Sequence, residues 1–273
     1  MAQVLYCSED EQEAREFANK ISAKLVKYEI KNFTGNEKFL KVNQNIDFNE
    51  AIYIYKSFWP APNDKIMELV LLLDLLESNG AKNIRLIIPF IPYLRQDREV
   101  LSNSSVGARA LARLLRSFNI EEIITYDAHS ENSMSFFEGK ITNLNYYELF
   151  ASRISKENFD QENSIVISPD QGSKFRAKNL AELLSVKYCA LTKKRIGSEV
   201  VITGFDNSRI WDQVIIIDDI IDTGGTILST IELISECSKK ITICISHIVN
   251  IEAINKIKNK YAEITFIDGF RGG

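Results

Sequence analysis

The stretch "VIIIDDIIDTGGTI", residues 214–227, joins an apolar run to three aspartates and a pair of glycines. The apolar run predicts a buried strand, and the following "ILSTIELIS" predicts a helix. A glycine turn that opens a helix presents backbone N–H groups to an anion, and the helix N-terminus adds partial positive charge. Carboxylates beside such a turn suit sugar hydroxyls or a cation. The stretch therefore predicts a site for a phosphorylated ligand, although an aspartate cap and a glycine turn without any ligand would also explain it.

Short apolar runs alternate with amphipathic segments along the whole chain. This alternation predicts an α/β fold in which helices cover mainly parallel sheets, with the loops after the strands gathered at one edge, where ligands bind. The predicted strands are "VLYC", "AIYIYKS", "IRLIIPF", "EEIITYDA", "SIVISPD", "QVIIIDD", "ITICISHIV" and "EITFID". The predicted helices cover residues 64–79, 107–118, 174–185 and 225–237. A polar stretch, "EGKITNLNYYE", predicts a boundary between domains 1–144 and 145–273.

The composition excludes several classes of protein. The 273 residues carry a net charge of −4, which argues against a nucleic-acid surface but not against phosphorylated small molecules. The four separated cysteines and two histidines do not form the ligand pattern of a zinc site. No apolar segment is long enough to span a bilayer, and the N-terminus lacks the pattern of a signal peptide. We therefore expect a cytoplasmic protein without membrane or nucleic-acid partners.

Further stretches place polar or charged side chains near predicted strands. In "PFIPYLRQDRE", residues 89–99, an arginine can bind phosphate in a fork geometry or stack on adenine. A histidine follows a strand in "TYDAHS", residues 125–130, and an aspartate does so in "SPDQGS", residues 168–173. The segment "LTKKRIGSEVVITGF", residues 191–205, concentrates positive charge of the kind that stabilises a diphosphoryl group during transfer. Taken alone, each stretch is also explained by a solvated loop or a structural turn.

Taken together, these stretches resemble the ribose-phosphate pyrophosphokinase family. Residues 218–226 resemble the phosphoribosyl-pyrophosphate loop that this family shares with type I phosphoribosyltransferases. The segments "RQDR", "DAHS" and "SPDQGSKFRA" favour the pyrophosphokinases, whose patterns include PY-x-x-Y-x-RQDR, D-x-H and SPD-x-G followed by RA. The resemblance extends from about residue 3 to 268 and is to a short C-terminal variant, since members usually continue beyond "FIDGFRGG". Two departures are Gly35, where the family has aspartate, and Ser173, where glycine or alanine is commoner.

The resemblance implies a fold, a reaction and partners. The fold would be two phosphoribosyltransferase-like domains, each a mainly parallel sheet flanked by helices. Domain 1–144 would lie on the ATP side and domain 145–273 on the ribose 5-phosphate side. The reaction would transfer the diphosphoryl group of ATP to the anomeric hydroxyl of ribose 5-phosphate, with Mg²⁺ as cofactor. The enzyme would be a homo-oligomer of two or more chains.

The resemblance also implies roles for individual residues of this sequence. Catalysis would depend on two basic residues, Lys193 and Arg195. ATP would be bound by Phe33, Glu37, Arg95, Gln96 and Asp97. Ribose 5-phosphate would be bound by Arg195, Asp218, Asp219, Asp222, Thr223, Gly224, Gly225 and Thr226. Mg²⁺ would be held by His129 and Asp170, although Mg²⁺ typically prefers oxygen ligands to imidazole.

Two other functions are compatible with parts of this pattern. A type I phosphoribosyltransferase would share residues 218–226 but would have no reason to keep "RQDR" or "DAHS". A non-catalytic regulatory homologue would bind nucleotide and should have lost the basic segment, which is present as Lys193, Lys194 and Arg195. Release of AMP from ATP on addition of ribose 5-phosphate distinguishes the three functions.

Overall fold

The structure, a computed structural model, describes residues 1–42, 44–156, 159–196 and 199–269, and their side chains apart from those of 193–203. The chain forms two compact units, Met1–Leu144 and Asn145–Gly273. Both units are mainly parallel sheets flanked by helices, which confirms the predicted fold class. Among the helices of the described residues, none is long and apolar enough to cross a membrane.

Unit 1, residues 1–144, is built on a seven-stranded sheet. Its strands are β1 (Gln3–Tyr6), β2 (Lys24–Asn32), β3 (Lys38–Val42), β4 (Ile52–Tyr55), β5 (Ile84–Ile87), β6 (Ile120–Tyr126) and β7 (Ile141–Leu144). The order across the sheet is β3-β2-β1-β4-β5-β6-β7. Every neighbouring pair is parallel except β2 and β3. The order reverses direction between β1 and β4, and in open α/β sheets such a reversal forms a crevice at the carboxyl ends of the strands.

The helices of unit 1 pack apolar faces onto this sheet. They are α1 (Glu11–Lys20), α2 (Pro62–Ser78), α3 (Gly107–Leu115) and α4 (Glu131–Ser135). In α2 the buried side chains recur at the three- and four-residue spacing of one helical face: Leu69, Leu72, Leu73 and Leu76. These leucines pack with the strand residues Ile52 and Ile54, neither of which is exposed. Burial of this face holds the sheet edge that carries the polar loops in a fixed position.

Strand β2 takes part in two pairings. Its first half, residues 24–27, is parallel to β1, and its second half, residues 28–32, is antiparallel to β3. The hairpin tip closes through a hydrogen bond from Phe33 N to Glu37 O at 2.8 Å. Gly35 adopts φ +95° there, a conformation that favours glycine over the aspartate commoner in the family pattern. The tip of the β2–β3 hairpin therefore lies beyond the parallel part of the sheet.

Unit 2, residues 145–273, contains a five-stranded parallel sheet and a separate two-stranded ribbon. The sheet strands are β8 (Ser164–Ser168), β9 (Lys187–Ala190), β12 (Gln213–Ile221), β13 (Ile241–Ile248) and β14 (Thr265–Asp268), and the antiparallel ribbon strands are β10 (Thr192–Ile196) and β11 (Glu199–Thr203). The sheet order is β14-β13-β12-β8-β9. The helices are α5 (Tyr147–Ile154), α6 (Lys174–Leu184), α7 (Gly225–Ile234) and α8 (Ile251–Lys260).

The central strand β12 is covered on both faces. Ile216 packs in the cluster that contains residues of α7 and α8, whereas Ile215 and Ile217 pack in the cluster that contains residues of α5 and α6. This burial on both faces explains why the strand reads as a continuous apolar run instead of an alternating one. At the far end of the sheet, Gly269 lies so close to Tyr146 that an added Cβ would overlap the tyrosine ring.

One predicted element boundary in unit 2, the end of strand β12, was wrong. Asp218 and Asp219 were expected where the strand ends, but β12 continues through them to Ile221. The physical reason is unequal pairing: the ladder with β8 stops at Ile216, while the ladder with β13 continues to Ile221. The following helix, α7, begins at Gly225, which is the start predicted for it. The two acids therefore lie in a paired strand, beyond the end of its neighbour on one side.

Candidate active site

The acidic pair of β12 is buried at the edge of the sheet where β8 has already ended. Asp218 and Asp219 are 8% and 6% exposed. The loop that follows β8 reaches them, because the Ser173 hydroxyl donates to Asp218 Oδ1 at 2.6 Å. The same serine donates its backbone N–H to Asp170 Oδ1 at 3.1 Å. Asp170 and the acidic pair were predicted from two separate motifs. Ser173 links the two motifs, because it donates to Asp170 and to Asp218.

Asp218 and Asp219 are neighbouring buried carboxylates, and the exposed Asp170 lies beside them. Burial, together with the negative charges of Asp219 and Asp170, raises the pKa of Asp218 to about 7, against the hydrogen bonds from Ser173 and from Asp219 N. A buried guanidinium lies nearby, with Arg176 Nη2 3.6 Å from Asp219 Oδ2. A bound cation or donating hydroxyl groups would relieve this repulsion, since both favour the charged carboxylate. The arrangement therefore fits an oxygen-binding cation or the hydroxyls of a sugar.

The turn between β12 and α7 requires glycine at the position before the helix. Gly224 has φ +76°, and a Cβ there would lie 3.2 Å from Ala253 Cβ, so a larger residue would be strained and crowded. Its carbonyl accepts the hydrogen bond of Leu228 N at 2.9 Å, which starts the helix. The first N–H groups of a helix lack carbonyl partners within it and are suited to bind an anion. The other predicted residues of this turn are exposed: Asp222, Thr223, Gly225 and Thr226.

In unit 1, two predicted segments meet through Asp97. The Ser130 hydroxyl donates to Asp97 Oδ2 at 2.6 Å, and Asn132 Nδ2 donates to the Asp97 carbonyl at 2.7 Å. Ser130 also caps α4 by accepting from Ser133 N. These bonds fix the "RQDR" loop against the "DAHS" loop. Asp97 therefore has a structural role, since it accepts hydrogen bonds from Ser130 and Asn132 without a bound nucleotide.

The side chains that would meet a nucleotide lie at the surface of the same loop. Arg95 and Gln96 are both exposed. The Gln96 carbonyl accepts from Ala108 N at 3.2 Å at the start of α3. A Cβ at Gly107 would lie 2.7 Å from Gln96 Oε1, so the glycine leaves room for the glutamine side chain. Backbone and glycine thus hold the loop while its polar side chains stay accessible.

His129 follows a backbone reversal at the end of β6. Asp127 adopts φ +44°, an uncommon conformation for a non-glycine residue, and is 2% exposed. Its N–H donates to Leu144 O at 2.7 Å, and Ala128 N donates to Asn143 Oδ1 at 2.9 Å. The half-buried His129 comes next, beside the loop that carries Asp97. Its role as a metal ligand stays a prediction.

The remaining predicted residues fall elsewhere. Phe33 and Glu37 form the exposed tip of the β2–β3 hairpin, where the Phe33 ring lies 5.8 Å from that of Phe39. Lys193 and Arg195 belong to β10 by their backbone, but their side chains lie outside the described part of the chain. Their roles stay predictions.

Two residues near the acids were missed from the sequence alone. Ser173 and Arg176 are buried, at 5% and 1% exposed, and each contacts one of the two β12 acids. The signal for Ser173 was available as the departure from the commoner glycine or alanine. The signal for Arg176 was the RA pair that follows. Both were read as parts of a pattern, without a role of their own.

A second buried charge cluster, in unit 1, was also missed. Lys56 is fully buried, and its Nζ lies 2.6 Å from Glu68 Oε2 and 3.5 Å from Glu9 Oε1. Within the described residues, ligand atoms of Cys7, Glu9 and Asp10 lie close enough together to hold a metal ion. Burial raises the pKa of the Cys7 thiol to about 12, and that thiol donates to both carboxylates. A protonated thiol and a neighbouring ammonium already supply what a cation would, so this cluster is a structural network.

Two family models match the chain. That of the N-terminal domain of ribose phosphate pyrophosphokinase covers residues 2–118, and that of the phosphoribosyl transferase domain covers residues 145–270. The ribose-phosphate pyrophosphokinase of Thermococcus kodakarensis is 34% identical over 247 residues, which cover 89% of this chain and 85% of the relative. The chain belongs to the ribose-phosphate pyrophosphokinase family. The resemblance read from the sequence motifs is thereby confirmed.

Further ribose-phosphate pyrophosphokinases agree with this membership. That of Thermotoga maritima is 29% identical over 258 residues, which cover 93% of this chain and 82% of the relative. Among solved structures, phosphoribosylpyrophosphate synthetase from Mycobacterium smegmatis matches with a TM-score of 0.83 at 24% identity, over 98% of this chain and 95% of that one. This structural likeness shows that the chain has the pyrophosphokinase fold.

Proposed function

We propose that this chain is a ribose-phosphate diphosphokinase, which converts ATP and ribose 5-phosphate to AMP and phosphoribosyl pyrophosphate. The observation that carries the proposal is the junction of β12 and α7. There, a buried acidic pair lies next to a helix N-terminus at which Thr223, Gly225 and Thr226 are exposed. Family membership supports the same activity, since the curated relatives are named ribose-phosphate pyrophosphokinases.

Ribose 5-phosphate would bind at that junction. The backbone N–H groups of residues 223–226 suit the 5-phosphate, because the turn and the start of α7 form an anion site. The exposed hydroxyls of Thr223 and Thr226 can donate to the same phosphate. Asp218 and Asp219 would accept hydrogen bonds from the ribose hydroxyls, with Asp222 at the rim. These assignments place the anomeric carbon on the acidic side of the site.

ATP would bind against the loop of Arg95, Gln96 and Asp97. Arg95 can form two parallel hydrogen bonds to phosphate or stack on adenine, and its exposure leaves it accessible to the nucleotide. Phe33 and Glu37 would contact the adenine from a hairpin tip. Because that tip extends beyond the parallel sheet, an assembly of two or more chains fits the proposal.

The acidic residues fit Mg²⁺ as the cofactor. Burial and the neighbouring charges of Asp219 and Asp170 raise the pKa of Asp218, and an oxygen-binding cation would favour its charged form. Asp170 would hold the ion through a carboxylate oxygen, and His129 would complete the predicted ligand pair. Bound Mg²⁺ would neutralise negative charge on the phosphate oxygens.

The transfer itself would depend on alignment and charge. The anomeric oxygen forms a bond to the β-phosphorus as the bond from that phosphorus to the α,β-bridging oxygen breaks and AMP leaves. The hydroxyl proton is released in the same reaction. Lys193 and Arg195 would stabilise the charge that spreads over the phosphoryl oxygens. In-line alignment of a bound hydroxyl supplies much of the rate.

A direct assay tests this function. The purified chain is incubated with ATP, with and without ribose 5-phosphate and Mg²⁺, and AMP and phosphoribosyl pyrophosphate are quantified by chromatography. We expect AMP only when both additions are present, in equal amount to phosphoribosyl pyrophosphate. Formation of a nucleotide from phosphoribosyl pyrophosphate and a free base would instead indicate a phosphoribosyltransferase. Absence of all turnover would indicate a regulatory homologue.

A further inference from the structure

The residue before α6 binds two acids of the candidate site at once. Ser173 is 5% exposed, and its backbone N–H and its hydroxyl donate to different carboxylates. The N–H donates to Asp170 Oδ1 at 3.1 Å, three residues earlier in the sequence. The hydroxyl donates to Asp218 Oδ1 at 2.6 Å, 45 residues later in the sequence. Ser173 therefore couples the loop after β8 to the strand β12.

The Asp170 loop is fixed on its other side as well. The buried Ser168 hydroxyl donates to the Asp170 carbonyl at 2.9 Å. A Cβ at Gly172 would lie 3.2 Å from Asp170 Oδ1, so the loop passes closely around this carboxylate. Ser173 is thus held by a rigid neighbour, and its hydroxyl reaches Asp218 from a defined position.

The bonds to Asp218 leave one of its oxygens available. Both hydrogen bonds that Asp218 accepts from the described residues, from the Ser173 hydroxyl and from Asp219 N at 3.0 Å, end on Oδ1. Oδ2 is thereby left for a ligand. The buried carboxylates of Asp218 and Asp219 would otherwise turn apart, since like charges repel in a buried site. A neutral hydroxyl fixes the orientation without cancelling the charge that a sugar hydroxyl or a cation needs.

Arg176 holds the second acid from the same helix. It lies three positions after Ser173, so the two side chains share one face of the first helical turn. Its Nη2 lies 3.6 Å from Asp219 Oδ2. The start of α6 therefore contacts both acids, since Ser173, the residue before the helix, donates its hydroxyl to Asp218 and Arg176, in the first turn, lies beside Asp219.

We propose that Ser173 is a positioning residue that orients Asp218 relative to Asp170 for binding of the ribose. The proposal rests on the proposed function, because it takes ribose 5-phosphate as the ligand of Asp218. Glycine or alanine at this position, commoner in the family pattern, keeps the N–H bond to Asp170 but lacks the hydroxyl. Affinity for the sugar phosphate in this chain consequently depends on a contact that those residues cannot make.

The test compares Ser173→Ala with Ser173→Thr and with the control Ser164→Ala. Ser164 is an equally buried hydroxyl at the opposite end of β8, bonded to a backbone carbonyl. With Mg²⁺ present, we expect Ser173→Ala to raise the KM for ribose 5-phosphate about tenfold, the usual scale for a lost hydrogen bond to a charged group. The KM for ATP should stay unchanged in Ser173→Ala. Ser173→Thr should retain most of the affinity for ribose 5-phosphate, because it keeps the hydroxyl. The control Ser164→Ala should change neither KM.

A second measurement does not depend on turnover. Ribose 5-phosphate should raise the thermal midpoint of the unchanged chain, and this shift should shrink in Ser173→Ala, because a weaker ligand stabilises less at the same concentration. If Ser173→Ala does not fold, Ser173→Gly takes its place, with the same expected loss. Equal changes in both KM values, or an unchanged KM for ribose 5-phosphate, would overturn the positioning role. Inactivity of the unchanged chain would instead reject the proposed function.

Discussion

Both units bury a cluster of charges at the carboxyl ends of central strands, and the two clusters are balanced differently. In unit 1, Lys56 follows β4 and contacts Glu68 and Glu9. In unit 2, Asp218 and Asp219 lie in β12, and Asp170 follows β8. The location within the sheet is similar, but the first cluster pairs lysines with carboxylates and the second gathers carboxylates.

The unit 1 cluster is neutralised by the chain itself. Glu68 has three lysine partners, with Lys56 at 2.6 Å and Lys38 and Lys65 at 3.4 Å each. Lys65 is also paired with Glu9. Lys38, Lys65, Glu9 and Glu68 line an open pocket of about 420 Å³, where their charges are already matched. A cluster of this kind stabilises one arrangement of β1, β4 and α2.

The unit 2 cluster leaves part of its charge for a ligand. Its carboxylates receive a neutral hydroxyl from Ser173 and a guanidinium contact at 3.6 Å from Arg176. A buried charge cluster therefore indicates a binding site when the fold leaves its charge uncompensated, and a structural network when the fold supplies both signs. Separate effects on activity and on stability should follow.

The largest expected effect is on activity, in Asp218→Asn. Asparagine keeps the acceptor for Ser173 but removes the charge that would bind the ribose or a cation. We expect AMP formation to fall on the order of 10²–10³-fold, the scale for loss of one preorganised electrostatic contact. Because burial and the charge of Asp219 raise the pKa of Asp218 to about 7, the charged carboxylate costs folding free energy at pH 8, and the variant should unfold there at the same or a higher temperature. Loss of stability with loss of activity would contradict the comparison.

The next effect is on stability, in Lys56→Met. Removing the fully buried ammonium leaves the Glu68 carboxylate without its partner at 2.6 Å. We expect a loss of about 3 kcal/mol in the free energy of unfolding of unit 1, measured in urea. Turnover per folded molecule should stay near that of the unchanged chain. The double variant Lys56→Met with Glu68→Leu should recover much of the loss, and the exposed Lys20→Met should change little.

The smallest effect is a pH dependence, in Asp10→Asn. Burial raises the pKa of Asp10 from 3.8 to about 6, although Lys56 and hydrogen bonds from Cys7 and Ser57 oppose the shift. Between pH 4 and 6 the folded chain then binds more protons than the unfolded chain, so this group's contribution to stability falls as the pH rises. Asp10→Asn should flatten the thermal midpoint across that range. The exposed Asp74→Asn should keep the slope of the unchanged chain, and an equal slope in Asp10→Asn would refute the assignment.

The elements that sequence patterns predicted are those buried on both faces or on one broad apolar stripe. The strands β8, β12 and β13 read as continuous apolar runs, and α2 shows leucines at helical spacing. Strand β2 was missed because lysines interrupt it, although Val26 and Tyr28 are buried at a spacing of two. Helix α1 was missed because it is mostly charged and buries only Ala14 and Ala18. Where burial is partial, the sequence signal is weak.

Residues of the candidate site could be predicted where they come near the end of a strand. Contacts between residues that are distant in the sequence could not be predicted. Asp170 and Asp218 could be nominated because each comes near the end of an apolar run. Their coupling through Ser173 could not, since a hydroxyl contact across 45 positions leaves no local pattern. The Lys56 cluster was equally hidden, because a lysine beside a strand is usually read as exposed. Contacts between elements decide which charges are matched.

The beginning and the end of the described part of unit 2 lie close together, because Gly269 contacts the ring of Tyr146. Tyr146 lies just before α5, the first helix of the unit, and Gly269 lies just after β14, its last strand, where Gly269 N donates to Ile245 O at 2.9 Å. A short peptide could therefore join the two positions, and the unit could be reopened in the exposed loop around residue 207 without redrawing its strand order. Such a circular permutant would keep Asp170, Asp218, Asp219, Ser173 and the turn before α7 together in one domain.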